Sequence, residues 1–363
     1  MITFVVGTTA ELIKIAPVYH ELGVRGRPSE IWYTGQHVVE LPGVLADLDL
    51  PEPAVWLVPR EGAANLARTS QVPGWIFRLA RTVVTRRRAL RARLRADGTR
   101  PLVLVHGDTF TTLFGSLIGR FLGATVGHVE AGLRSGHLLH PFPEEINRKL
   151  TARLAHLHFA PGDVEARNLA GRKGVVVTGG NTVIDAVRYA LAKNVDGADL
   201  ALPEGYGVAT LHRFELVRDR TLYSAALQTL KDASVEHPIV YFAGASEKAR
   251  LREYGLEPLF DDKFLLREKL RYVEFLPVLA AARFVVTDSG GVQEECAHLG
   301  LPCAVHRVKT ERHQGLGENV LLTGMDTTRL ARFLGDVDAL RTRDASDTAR
   351  PSAVVVDTLE RLG

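Results

Sequence analysis

Apolar residues along this chain fall into short β-branched runs separated by stretches of helical spacing. Ile2–Val6 reads as a buried strand, followed by a helix over residues 10–22, and residues 30–33 read as a second strand. Leu102–His106, Thr125–Val129 and Leu157–Ala160 repeat the strand pattern, with helices between them. Beyond a junction near residues 172–174, Val175–Val177 and residues 207–211, 239–242, 269–272, 284–287 and 302–305 continue the alternation. Strands alternating with helices over this length predict an α/β protein with parallel sheets, wound with helices on both faces. At 363 residues the chain is long for one core. The two series therefore predict two Rossmann-like domains, residues 1–171 and 172–349, with a cleft between them. In such sheets ligands sit beyond the carboxyl ends of the strands, so the residue after each strand is where chemistry is expected.

One stretch departs from the pattern. Residues 75–95 carry Arg78, Arg81, Arg86, Arg87, Arg88, Arg91, Arg93 and Arg95. Ile76, Leu79, Val83, Leu90 and Leu94 recur there at roughly helical spacing, which predicts a solvated basic face over a buried apolar stripe rather than a nucleic-acid or lipid patch. The whole-chain balance agrees: 45 Lys+Arg against 42 Asp+Glu gives a net charge of +3, too slight to point to nucleic acid or membrane as partner. Hydrophobic residues at 46% and charged residues at 24% are the proportions of a globular protein. No run approaches the roughly 20 apolar residues of a membrane helix, and the first residues lack the basic region of a signal peptide. Cys296 and Cys303 are the only cysteines, which suits a reducing compartment, so a cytoplasmic location is expected.

Five motifs carry candidate chemistry. Gly7-Thr8-Thr9-Ala10-Glu11 follows the first strand, and Thr8 with Glu11 has capping-box spacing. A helix start presents N–H groups and positive dipole to an anion, and Lys14 lies one turn further on. Thr287-Asp288-Ser289-Gly290-Gly291-Val292-Gln293-Glu294-Glu295 follows a strand and opens a helix. The Ser289 hydroxyl and the Gly290-Gly291 pair suit a diphosphate cradle, and Glu295 suits a ribose hydroxyl pair. The densest group is His106-Gly107-Asp108-Thr109, His128-Val129-Glu130-Ala131-Gly132-Leu133-Arg134 and Pro143-Glu144-Glu145-Ile146-Asn147-Arg148. Asp108 and Glu130 each lie just past a buried strand, and Glu144 and Arg148 share a helix face. Three carboxylates and a guanidinium suit acid/base work on a sugar, because neighbouring charges separate the pKa values of a general acid and a general base. His212-Arg213 at a strand end suits a diphosphate leaving group. Thr310-Glu311-Arg312 is a further strand-end cluster.

Other signals fail. Gly315-Leu316-Gly317 has no third glycine and follows no strand, so it is no dinucleotide fingerprint. His156 and His158 have no partners at metal spacing. Cys303 sits in an apolar stretch and reads as a small buried hydrophobe.

Together, residues 105–109, 127–134, 143–148, 180–185 and 287–295 resemble the bacterial UDP-N-acetylglucosamine 2-epimerases, in the family's order and nearly end to end. The resemblance implies a GT-B architecture, in which two Rossmann-like domains with parallel sheets flank a deep cleft and a C-terminal helix, residues 350–363, packs back on the first domain. It implies a cytoplasmic homodimer that binds UDP-GlcNAc and UDP, with no metal and no cofactor. The implied reaction interconverts UDP-GlcNAc and UDP-ManNAc by anti elimination of UDP to a 2-acetamidoglucal and re-addition. By motif matching, Asp108, Glu130 and Glu144 are the acid/base carboxylates, their roles interchangeable at this stage. Arg148 and His212 steady the diphosphate and the developing charge. Lys14 matches a family lysine, and Arg213, Ser289, Gly290, Gly291, Glu295 and Arg312 fall to the UDP site.

The sequence also departs from the family. Thr9 and Ala10 replace the Arg-Pro of the usual first turn. His212-Arg213-Phe214-Glu215-Leu216 and Thr310-Glu311-Arg312-His313-Gln314 alter two further blocks. These changes touch nucleotide binding and regulation and leave the carboxylates intact. A hydrolysing epimerase that releases ManNAc and UDP, a catalytically silent sugar-nucleotide binder and a GT-B glycosyltransferase are the alternatives. The carboxylate set disfavours the binder, and residues 143–148 disfavour the transferase.

Overall fold

The computed structural model describes residues 1–60, 65–66, 69–136, 143–193, 200–340 and 348–362. The chain forms two compact units, Met1–Tyr189 with Ala349–Gly363, and Ala190–Thr348.

The first unit is built on a seven-stranded sheet. Its strands are β1 (Ile2–Val6), β2 (Ser29–Tyr33), β3 (Val55–Trp56), β4 (Leu102–His106), β5 (Thr125–Val129), β6 (Leu157–Ala160) and β7 (Val175–Val177), in the order β3-β2-β1-β4-β5-β6-β7. Every pairing is parallel. β1, β4, β5 and β6 are buried along their whole length, as strands covered on both faces by helices must be. The helix Phe110–Leu122 lies tight on the sheet because Gly115 and Gly119 have no side chain. A Cβ at Gly115 would come within 2.8 Å of Val105, and one at Gly119 within 2.8 Å of Val126.

The second unit has a six-stranded parallel sheet: β8 (Gly207–Thr210), β9 (Ile239–Ala243), β10 (Phe264–Glu268), β11 (Val285–Thr287), β12 (Cys303–Val305) and β13 (Val320–Leu322), in the order β10-β9-β8-β11-β12-β13. Its core joins Tyr223, Leu227 and Leu230 to Tyr241, Phe264, Phe284 and Phe333. In both sheets the order in which strands are added changes direction between the first and fourth strands, β1/β4 and β8/β11, the switch points at which doubly wound sheets bind ligands.

Two expectations need correction. Val175–Val177 belongs to the first sheet, paired with β6 (His158 opposite Val175), so the first unit runs on to Tyr189 rather than ending at 171. Residues 269–272 form no strand. The Asp261 carboxylate accepts the amides of Lys263 (3.0 Å) and Phe264 (2.8 Å), starting the strand at Phe264. The Glu274 carboxylate then accepts the Arg271 amide at 3.2 Å, which starts a helix at Tyr272. The short strands β3 and β13 were not expected.

The arginine-rich segment forms the helices Val72–Thr85 and Arg87–Arg93. Trp75, Leu79, Val83, Leu90 and Leu94 are buried against Val5, Trp32 and Ile118, and most of the arginines lie in solvent. The helix Pro351–Glu360 packs on the helix Thr9–Val24. Arg25 bonds Asp357 and, at 3.0 Å, Glu360, and the Asp185 carboxylate accepts the Ser352 amide at 2.8 Å. Gly363 lies outside the described residues. Among the described residues no helix is long and apolar enough to cross a membrane.

Candidate active site

In the first unit the helix after β1 starts as its spacing predicts. The Glu11 amide donates to Thr8 Oγ1 at 3.3 Å, and Glu11 Oε2 accepts the amides of Thr8 (2.9 Å) and Gly7 (2.8 Å). Those two amides are thus answered by the chain's own carboxylate rather than left for a ligand. The other Glu11 oxygen accepts the Thr109 hydroxyl at 2.6 Å, tying the loop after β1 to the loop after β4. Burial pushes the Glu11 carboxyl up, against the bonds from Thr109, Gly7 and Thr8.

Lys14, one turn into that helix, is buried and reaches Glu130, with Nζ 2.5 Å from Oε2. Asn181 Nδ2 donates to the same oxygen, and His106 Nε2 lies 3.7 Å from it. Glu130 is 5% exposed and has φ +66, a left-handed backbone that side-chain-bearing residues adopt at a cost of about 1–3 kcal/mol. Strain of this kind, held at a buried charged residue, is characteristic of functional sites.

Asp108 follows β4, the strand beside β5, which delivers Glu130. Its Oδ2 accepts two bonds from one guanidinium, Arg148 Nε at 2.9 Å and Nη2 at 2.5 Å. Asn147 Nδ2 donates to the Asp108 carbonyl at 2.9 Å. Both come from the helix Glu144–Leu154, which Glu144 opens with a half-buried side chain. The neighbouring Glu145 is buried. It lies 3.3 Å from Arg148 Nη1 and accepts the Ser135 amide at 3.0 Å. His128 Nε2 lies 2.7 Å from the Gly107 carbonyl, which fixes the loop ahead of Asp108. Burial pushes His128 down to about 4, so the ring is neutral and donates through Nε2.

The second unit places its candidates at its own switch point. Asp288, fully buried after β11, accepts the amides of His212 (2.9 Å) and Arg213 (2.8 Å) after β8. Its Oδ1 lies 3.3 Å from His212 Nδ1, which leaves the half-exposed ring its Nε2 edge. Burial raises the Asp288 carboxyl, opposed by His212 and by the two amides. Arg213 lies 3.3 Å from Glu215.

Ser289 caps the helix Gly290–Leu299 by accepting the Val292 amide at 3.4 Å. Neither Gly290 nor Gly291 has a left-handed backbone, and a Cβ would stay 3.4 Å from Arg312 at the first and 3.7 Å from Ser289 at the second. Among the described residues neither backbone conformation nor crowding requires the glycine pair, and its effect is a bare helix N-terminus. Glu295 is buried, and together with burial it holds the Tyr272 phenol well above its ordinary value. Arg312 is also buried, 3.1 Å from Glu294. Gln293 Nε2 donates to the Arg312 carbonyl at 3.2 Å.

Lys14 and Glu130 are thus in contact, as are Asp108 and Arg148, and His212 and Arg213 share one carboxylate. Glu144 joins its group through the helix it opens. Among the described residues no group of three His, Cys, Asp or Glu side chains is placed to hold a metal ion.

The sequence model of the family described as UDP-N-acetylglucosamine 2-epimerase matches residues 77–351. The chain belongs to this epimerase family. It is 35% identical over 330 residues to a probable UDP-N-acetylglucosamine 2-epimerase of Ralstonia nicotianae, spanning 86% of this chain and 83% of the relative. It is 33% identical over 344 residues to the UDP-N-acetylglucosamine 2-epimerase of Bacillus subtilis, spanning 89% and 83%. The solved structure of the Methanocaldococcus jannaschii UDP-GlcNAc 2-epimerase in complex with UDP-GlcNAc and UDP superposes with a TM-score of 0.80 at 26% identity, covering 99% of each chain. A putative epimerase of Listeria monocytogenes gives 0.82 at 26% identity, covering 99% of this chain and 95% of that one. The fold class is accordingly α/β of the GT-B type.

In this epimerase-family chain, Asn181, Glu145 and Asp288 hold candidate residues and were not singled out from sequence, whereas Glu11, expected as the capping-box partner of Thr8, also ties in Thr109. Asp288 was the most accessible of them, since it follows a buried strand as Asp108 does. Asn181 required knowing that β7 joins the first sheet.

Proposed function

We propose that this chain interconverts UDP-GlcNAc and UDP-ManNAc as a non-hydrolysing 2-epimerase. H2 of the sugar is not α to a carbonyl, so its removal must be coupled to departure of a stabilised leaving group. A carboxylate takes the proton and the C1=C2 bond forms. The C1–O bond breaks with its electron pair passing to the UDP phosphate. Return of a proton to the opposite face of C2, with UDP re-adding at C1, gives the epimer. No hydride moves, so no redox cofactor is required.

The observation that carries this reading is the pair of carboxylate–cation contacts past neighbouring strands, Asp108–Arg148 after β4 and Glu130–Lys14 after β5. Two carboxylates on adjacent loops supply one group to take the proton and another to return it, and Glu144 is the third of the set. We assign the nucleotide to the second unit. There Ser289, Gly290 and Gly291 offer the helix N-terminus to the diphosphate, His212 and Arg213 offer cationic or donor edges, and Glu295 holds ribose. Arg312, paired with Glu294, shapes that site. We place the reaction in the cytoplasm, in keeping with two buried free thiols, Cys296 and Cys303.

Proton NMR of UDP-GlcNAc incubated with the protein in D2O tests the reading. Deuterium at C2 in both UDP-GlcNAc and UDP-ManNAc is the expected result. Free ManNAc with UDP would make the enzyme a hydrolysing epimerase. Bound, unlabelled UDP-GlcNAc would make it a sugar-nucleotide binder.

A further inference from the structure

The loop after β7 belongs to a motif that the proposed chemistry leaves without a role, and it ends on Glu130, the most buried of the three acid/base candidates. Thr178 Oγ1 donates to the Gly180 carbonyl at 2.7 Å and its amide donates to the Ala160 carbonyl at 2.9 Å, pinning the loop to the end of β6. Gly180 has φ +158, and a Cβ there would lie 2.5 Å from Ile184, so the turn needs glycine. Asn181 follows, 3% exposed, ahead of the helix Val183–Ala192.

The orientation of its amide is decided by its neighbours. Oδ1 accepts the Val183 amide at 3.3 Å, and the Thr182 hydroxyl lies 3.5 Å away. Nδ2 donates to Glu130 Oε2, the oxygen that Lys14 also holds. Flipping the amide would set two N–H groups against each other and an oxygen against a carboxylate, so one orientation stands. A carboxylate oxygen held by an ammonium and an amide at once has its rotation fixed and its charged form favoured.

We propose that Asn181 is a positioning residue for Glu130, fixing with Lys14 which carboxylate oxygen is presented to the sugar. Its effect on turnover rests on the epimerase reading, whereas its effect on Glu130 does not. Misplacing a reacting group by about 1 Å can cost about a hundredfold in rate.

The test uses the full chain with Asn181→Ala, Asn181→Ser and Asn181→Asp. Asp matches Asn in shape but sets a second carboxylate against Glu130, while Ser restores a donor. Positioning predicts that kcat for C2 exchange falls by up to about a hundredfold in N181A, partly recovers in N181S and is lowest in N181D, with KM nearly unchanged. A packing role predicts the reverse order, with the isosteric Asp closest to native. In parallel, the side-chain carboxyl 13C signal of Glu130, identified by its loss in Glu130→Gln, is followed against pH. It should titrate at higher pH in N181A than in the native chain, and higher still in N181D. An unmoved Glu130 titration, or N181D as active as native, overturns the proposal. A native chain that exchanges nothing at C2 while the Glu130 titration moves as stated overturns the epimerase reading alone.

Discussion

Lys14 Nζ and Glu130 Oε2 lie 2.5 Å apart, with side chains 10% and 2% exposed. The two residues are 116 positions apart in sequence and meet because the helix after β1 and the loop after β5 share one end of the sheet. Buried ion pairs gain little over an apolar substitute, but breaking one leaves a charge with no compensation. Such a pair is therefore weak evidence for stability and better evidence for chemistry.

That asymmetry predicts the behaviour of variants. Lys14→Met should destabilise the first unit by about 3–5 kcal/mol, because it removes the ammonium paired with the buried Glu130 carboxylate. Adding Glu130→Gln should recover most of that loss without restoring turnover. Urea unfolding of the single and double variants checks both parts. Equal stability of Lys14→Met and the native chain would mean that Lys14 does not neutralise Glu130.

The glycine pair after Ser289 predicts a separation of folding from binding. Gly291→Ala adds a Cβ 3.7 Å from Ser289 Oγ, an ordinary contact, so the unfolding midpoint should stay near native. If the diphosphate approaches this backbone, calorimetry should show weaker UDP binding. Ser289→Ala should weaken binding too, and should also cost about 1 kcal/mol of stability through loss of the helix cap. Native UDP affinity in both variants would move the nucleotide elsewhere.

Burial also sets how stability responds to pH. His128, His158 and His306 are pushed down from 6.5 to about 4, chiefly by burial. As pH falls below 6.5 the unfolded chain takes up these protons first. The stabilising contribution is therefore complete above about 6.5 and is lost between there and about 4. His158 Nδ1 is buried and has no hydrogen-bond partner among the described residues. His158→Phe should therefore keep stability at neutral pH and flatten its fall in acid, as read by urea midpoints at several pH values. An unchanged slope would remove His158 from the titrating set.

Much of the candidate site's placement was legible from sequence because its members follow runs buried on both faces. Asp108 after Leu102–His106, Glu130 after Thr125–Val129 and Ser289 after Val285–Thr287 are marked by a local pattern alone. Their partners were not, since partnership depends on strand order. Asn181 reaches Glu130 because β7 joins the first sheet, and Val175–Val177 has nothing in its composition to say which sheet it enters. Glu145 and Glu144 are adjacent glutamates in one helix turn. Only the packing decides that Glu145 turns inward beside Arg148 while Glu144 stays half-buried. The expected strand at residues 269–272 failed because its alternation was overridden by the capping carboxylate of Glu274.

The most direct measurement is the rate at which solvent deuterium enters C2 of UDP-GlcNAc with the native chain, Asp108→Asn and Glu130→Gln. The native chain should label C2. Each variant should lose labelling by about a hundredfold or more while unfolding like the native chain and still binding UDP. Native-rate labelling in both variants, or an unlabelled C2 with the native chain, would contradict the assignment of this chemistry to the two carboxylates.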